Sequence, residues 1–108
     1  MKIVAALTDP LQASRAEKQG ADMIELRLDL MEGNTKKLVQ QYKKICSLPV
    51  IATLRSAQEG GQFFGDGKEW EKKIRPIISL VDYVDVEHQF VKNAVCVKEA
   101  EKIFTKRH

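Results

Sequence analysis

The sequence has no apolar run near the roughly 18 residues that a membrane span requires, and Met1 to Leu7 passes into Asp9 and Pro10 without a signal-peptide core. No membrane partner is expected, and a cytoplasmic location is. Cysteine is scarce: Cys46 and Cys96 stand far apart, without CxxC spacing or a histidine cluster beside them. Their places among apolar helical positions predict buried free thiols rather than a disulfide or a metal site. Charge of one sign is not gathered anywhere. The 18 basic and 15 acidic residues are interspersed and leave a formal net charge of +3, so neither a tail nor a patch argues for nucleic acid. Low-complexity segments and evident linkers are also missing. With 108 residues and 44% hydrophobic content, the chain suits one modest domain around one core.

What is present alternates between two periods. Lys2 to Leu7 is a short apolar run, and Asp9, Pro10 and Gln12 resemble an N-cap, an N1 proline and a capping-box partner. The helix they start is expected to close near Gly20. Met23 to Leu30 reads as a strand, with Ile24, Leu26, Leu28 and Leu30 on one face and Glu25, Arg27 and Asp29 on the other. Asn34 caps a second helix whose stripe is Leu38, Val39, Tyr42, Ile45 and Cys46. Val50 to Arg55 is the third strand, with Thr53 and Arg55 on one face. Asp66 and Glu69 make another capping box before Trp70, Ile74, Ile77, Ile78 and Val81, a helix that Pro76 interrupts. Tyr83 to Glu87 is the fourth strand. A last helix is expected through Cys96, Ala100, Ile103 and Phe104, with Lys106 and Arg107 at its C-terminal dipole end and His108 frayed.

Strand followed by helix, about four times over, predicts an α/β fold of parallel strands joined by right-handed crossovers. An open sheet covered on both faces wants strands that are apolar on both sides. Here one face is apolar and the other charged, which fits part of a closed (β/α)8 barrel better, its charged strand ends lining the mouth.

Three stretches aim ionic groups in one direction: ELRLDL (Glu25 to Leu30), TLRSAQEGG (Thr53 to Gly61) and VDVE (Val84 to Glu87). Glu25, Arg27, Arg55, Asp85 and Glu87 are expected in one small volume, with Glu59 at its rim. An ion-pair network that merely fills the barrel would satisfy them. The functional reading is a site for a small polyhydroxylated or anionic metabolite, since arginine forks and carboxylates fix hydroxyls and carbonyls in set positions. Carboxylates alone would allow a metal, but two arginines among them count against one.

At these separations, and after the initial KIVAAL strand, ELRLDL, TLRSAQEGG and YVDVE closely resemble the N-terminal half of type I 3-dehydroquinate dehydratase. The resemblance covers essentially the whole chain. It implies the first half of an eight-stranded barrel, with residues 1–108 as a single N-terminal half-barrel domain. It also implies a hydro-lyase of the shikimate pathway that converts 3-dehydroquinate to 3-dehydroshikimate without metal or cofactor. In that family a lysine forms a Schiff base with the substrate ketone and a histidine removes the adjacent proton. By the same resemblance Glu25, Leu26, Arg27 and Arg55 are substrate-binding, and Glu59 orients the catalytic histidine. Ala6 departs from the pattern, standing where many relatives place a substrate-contacting serine. The chain is expected to stop before the fifth strand, which bears the histidine, and the later strand that bears the lysine. His88 is not expected to replace that histidine. The resemblance implies 3-dehydroquinate as the small-molecule partner; the alternative is a non-catalytic half-barrel module whose unpaired sheet edges make it pair with a second copy of the chain or with a separate C-terminal half.

Overall fold

The computed structural model describes residues 2–104. Five parallel strands run through it: β1 (Val4–Leu7), β2 (Met23–Arg27), β3 (Val50–Thr53), β4 (Tyr83–Asp85) and β5 (Ile103–Phe104), side by side in chain order. Between them come α1 (Ala13–Lys18), α2 (Thr35–Ile45), α3 (Gly67–Ile74) and α4 (Val95–Glu99). A doubly wound sheet reverses its strand order at a switch point. This order never reverses, so right-handed crossovers place every helix on one side of the sheet and leave the other side uncovered. That is the arrangement of the first half of a TIM-type barrel.

Local chemistry explains the boundaries. Asn34 accepts from the Lys37 amide and starts α2, while Asp66 and Glu69 form a reciprocal capping box at the head of α3. Pro76 ends α3, and the chain tightens there into a 3-10 turn, Arg75–Ile77. Gly20, with φ of 97°, reverses the chain after α1. The first capping box differs from its expected form: Asp9 accepts from the Leu11 amide, but the Gln12 side chain reaches the amide of Thr8 and the turn is 3-10.

The core lies between sheet and helices. Ile24, Leu26, Val50, Ala52, Leu54 and Val84 pack from the strands against Leu38, Val39 and Tyr42 of α2, and Trp70 and Ile74 of α3. Trp70 stacks on Phe90, with ring centroids 5.5 Å apart, and Phe63 meets Phe90 edge-on at 6.1 Å. This aromatic trio ties α3 to the loop after β3 and to the 3-10 turn His88–Asn93.

Three expectations need correction. The second strand ends at Arg27, and Leu28–Leu30 is a 3-10 turn. Residues 28 and 30 keep the strand's alternation of apolar and charged types, which is why the sequence reads as one continuous strand. The expected last helix stops at Glu99. Glu101 takes a left-handed conformation, φ 56°, and the chain enters β5. Ile103 and Phe104 therefore make a fifth strand where a helical stripe was expected; the count of about four strands becomes five, and the expectation that the chain stops before the fifth strand is overturned. The expectations for Lys106, Arg107 and His108 lie outside the described residues. Finally, Cys46 is buried but Cys96 is only half-buried, both as free thiols.

Candidate functional site

Register decides which side chains meet. Arg27, Thr53 and Asp85 stand level across β2, β3 and β4, with Glu25 one step lower between Ala6 and Ile51. Side chains alternate along a strand, so these residues share the face turned away from the helices. Arg55 and Glu87 follow just beyond the C-terminal ends of β3 and β4, at the end of the sheet where barrels place their sites.

Two arginine-centred groups result. Arg55 spans Asp85 through Nη2 and Glu87 through Nη1, the latter at 3.1 Å. Glu87 also accepts from the Ser56 amide at 2.9 Å, the Ser56 hydroxyl at 2.7 Å and the Gln89 amide group at 2.8 Å. In the second group, Arg27 donates a two-pronged fork to Asp29, Nε at 3.0 Å and Nη2 at 2.9 Å. Thr53 donates to Glu25 at 2.6 Å and fixes that carboxyl group. Two guanidiniums thus face four carboxyl groups. Their negative partners are already in place, and the fork hydrogens left over suit neutral oxygen acceptors such as hydroxyls better than a further anion.

The ionisation of the cluster follows from these contacts. Burial pushes the Asp29 carboxyl up, but Arg27 and the amides of Gln62 and Arg55 more than offset it and hold the group below its ordinary range. Glu87 is likewise pushed up by burial and held below its ordinary value by Ser56, Gln89 and Arg55. The hydrogen bond to Asp29 raises Arg27 further above neutrality. Burial lowers Arg55, and the carboxylates of Asp85 and Glu87 overcome that.

A depressed carboxyl pKa contributes stability above the unfolded value, near 4, and loses it as pH falls through the folded value. The urea midpoint is therefore expected to stay level from about pH 8 to 6 and to fall steeply below about pH 4.5. Glu87→Gln is expected to make that fall shallower. A midpoint independent of pH in the acid range, or an unchanged slope in Glu87→Gln, would contradict this assignment.

Of the residues singled out from sequence, Glu25, Arg27, Arg55, Asp85 and Glu87 come together. Leu26 does not join them. Its side chain points to the helices and is fully buried in the core, so it bears on the site only through the backbone of β2. Glu59 is exposed in the 3-10 turn Ala57–Glu59 at the rim and, among the described residues, takes no part in the ion pairs. His88 is exposed just past Glu87. Asp29, Ser56, Gln62 and Gln89 were not included in the expected cluster. For Asp29 the charge alternation of ELRLD carried the signal; for the others no periodicity did. Gly61 has a steric role, since a Cβ there would lie 2.2 Å from the Arg55 carbonyl oxygen. A cavity of 210 Å³ beside the cluster is lined by Val4, Glu25, Ile51 and Phe104. Larger hollows of 470 and 330 Å³ include no member of the ion-pair groups.

Residues 6–107 match the family model for type I 3-dehydroquinase. The chain belongs to that family. It is 53% identical over its whole length to a 3-dehydroquinate dehydratase of Methanoregula boonei, of which it covers 52%. It is 34% identical over 94% of its length to a 3-dehydroquinate dehydratase of Methanospirillum hungatei, of which it covers 40%. The chain thus spans about half the length of the curated relatives it matches. Among solved structures, the 3-dehydroquinate dehydratase from Aquifex aeolicus superposes with a TM-score of 0.71 at 31% identity, covering 94% of this chain and 50% of that one. The enzyme from Enterococcus faecalis superposes with a TM-score of 0.80 over 94% of this chain and 48% of that one; at 21% identity it speaks for the fold alone. Both are TIM barrels, and the part of the curated relatives that this chain matches is their N-terminal half. Among the described residues no helix is long and apolar enough to cross a membrane.

Proposed function

We propose that residues 1–108 form the N-terminal half-barrel of a 3-dehydroquinate dehydratase and supply its substrate-recognition residues. The observation that carries this reading is the convergence of Glu25, Arg27 and Arg55 at the C-terminal end of the sheet, on the face that the helices leave open. In this reading Glu25 accepts from a substrate hydroxyl, and the free fork hydrogens of Arg27 and Arg55 donate to substrate oxygens. The reaction is dehydration of 3-dehydroquinate to 3-dehydroshikimate in the cytoplasm. It runs through an imine between the substrate ketone and a lysine, with a histidine removing the adjacent proton.

The lysine is assigned to the complementary half of the barrel, and Glu59, at the rim of this half, orients the histidine. In support, no strand among the described residues carries a lysine. An amine for imine formation must be desolvated on the inner face. The same inner face exposes Val4 and Tyr83, the latter edge-on to Phe104, as expected of a surface that a second half-barrel covers.

The test is the ultraviolet absorbance of the conjugated product formed from 3-dehydroquinate, recorded for the chain alone and for the chain mixed with the C-terminal half of the Methanoregula boonei relative. The chain alone is expected to give a flat trace and the mixture a rising one. Turnover by the chain alone, or a flat trace from a mixture that sedimentation shows to be associated, would overturn the proposal.

A further inference from the structure

Asp29 has a side chain with no exposed surface, and both of its oxygens are doubly occupied. Oδ1 accepts from Arg27 Nε at 3.0 Å and from the Arg55 amide at 3.2 Å; Oδ2 accepts from Arg27 Nη2 at 2.9 Å and from the Gln62 amide at 3.1 Å. These donors come from three places: the last residue of β2, the residue at which the chain leaves β3, and the returning limb of the loop that follows. The 3-10 turn at Leu28–Leu30 is what brings the carboxylate there, because it carries residue 29 off the strand and beneath the end of β3.

We propose that Asp29 is the positioning residue of the recognition site. It sets the direction of the Arg27 guanidinium through its side-chain fork and the point from which Arg55 departs through its amide. This deepens, and rests on, the reading that Arg27 and Arg55 hold substrate. A free arginine side chain samples many rotamers, and ordering it on binding costs affinity. A two-pronged bond to a buried carboxylate removes that freedom beforehand and leaves Nη1 and the second hydrogen of Nη2 for a ligand, on a side chain that keeps 25% of its surface exposed. Asp29 touches no substrate in this account and acts through Arg27 and the β3 exit.

The experiment is a double-mutant comparison in the barrel assembled from this chain and the C-terminal half of the Methanoregula boonei relative, with 3-dehydroquinate as substrate. Asp29→Asn keeps the shape but replaces an acceptor with a donor facing the Arg27 fork. It is expected to lower kcat/KM by roughly tenfold to a hundredfold, chiefly through KM. In an Arg27→Ala background the same change is expected to cost less than about a third of that factor, because the group it positions is gone. An equal loss in both backgrounds would overturn the proposal.

Arg27→Lys provides a second variant should Asp29→Asn not fold. It keeps the charge without the fork and is expected to raise KM in the same way; a wild-type KM would overturn the proposal. One further readout is independent of the reaction. In nuclear magnetic resonance of this chain alone, the Arg27 Nε–H and the Arg55 and Gln62 amides are expected to exchange slowly, and all three to speed up in Asp29→Asn. If the assembled barrel is inactive, the functional reading fails while this readout still decides whether Asp29 holds the fork. Rapid exchange at Arg27 in the unaltered chain would sink the positioning role itself.

Discussion

Arg55→Ala is expected to lower the unfolding free energy by about 3 kcal/mol at neutral pH, because it strips two nearly buried carboxylates of their shared counter-ion at once. Asp85 and Glu87 keep only 11% and 6% of their side chains exposed. Glu87 retains Ser56 and Gln89, but among the described residues Asp85 has its one ion pair with Arg55. That loss lies at the low end of what a broken buried pair costs, since Arg55 itself remains 19% exposed. The loss has a pH signature. Without the guanidinium the Glu87 carboxyl group protonates more readily, so the penalty is expected to shrink as pH falls below about 4 and that group becomes neutral. Urea unfolding at neutral and acid pH checks both parts. A neutral-pH midpoint equal to the parent's, or a penalty that does not change with pH, would show that the arginine is not the counter-ion of this pair. The same variant is expected to abolish measurable affinity for 3-dehydroquinate in the assembled barrel, since it removes a donor and disorders the carboxylates around it.

Trp70→Ala is expected to cost roughly 3–5 kcal/mol, the usual range for emptying a buried large aromatic site. Trp70 is fully buried, and its stack with Phe90 continues to Phe63. That trio braces the loop that holds Ser56 and the turn that holds Gln89, so the cavity should also loosen the donors around Glu87. Trp70→Phe separates packing from polarity. Among the described residues the indole Nε1 has no hydrogen-bond partner, and an unpaired buried donor contributes nothing that phenylalanine lacks. Trp70→Phe is therefore expected to cost only about 1 kcal/mol, for the smaller ring. If it costs as much as Trp70→Ala, the indole nitrogen is doing something that stacking does not explain. Thermal or urea unfolding of the two variants distinguishes these outcomes.

The parts of the fold legible in the sequence are those in which one period governs a whole element. The Asn34 cap with Leu38, Val39 and Tyr42 specifies α2, and the alternation through Ile24, Glu25, Leu26 and Arg27 specifies both the existence of β2 and which side chains leave the core. The same alternation ran past the true strand end, because a 3-10 turn after Arg27 keeps Leu28 buried and Asp29 directed toward the site without any change of residue pattern. Ile103 and Phe104 failed for the opposite reason: two apolar residues fit a helical spacing from Cys96 as well as they fit a strand, and the left-handed Glu101 that decides the matter is not a residue type that announces a turn. In the site, the charged residues could be read because ions on a half-apolar strand demand partners. Ser56, Gln62 and Gln89 act through loop amides and short polar side chains. Their roles depend on which loop returns beside which strand end, and no local pattern encodes that.

The most direct test of the central claim is borohydride reduction of the assembled barrel in the presence of 3-dehydroquinate, followed by mass spectrometry of the separated halves. The substrate adduct is expected on the complementary half, with this chain at its unmodified mass. Arg55→Ala in this chain is expected to remove the adduct from that other half. A substrate adduct on a lysine of this chain would contradict the division of labour proposed here, in which these 108 residues recognise the substrate and the other half reacts with it.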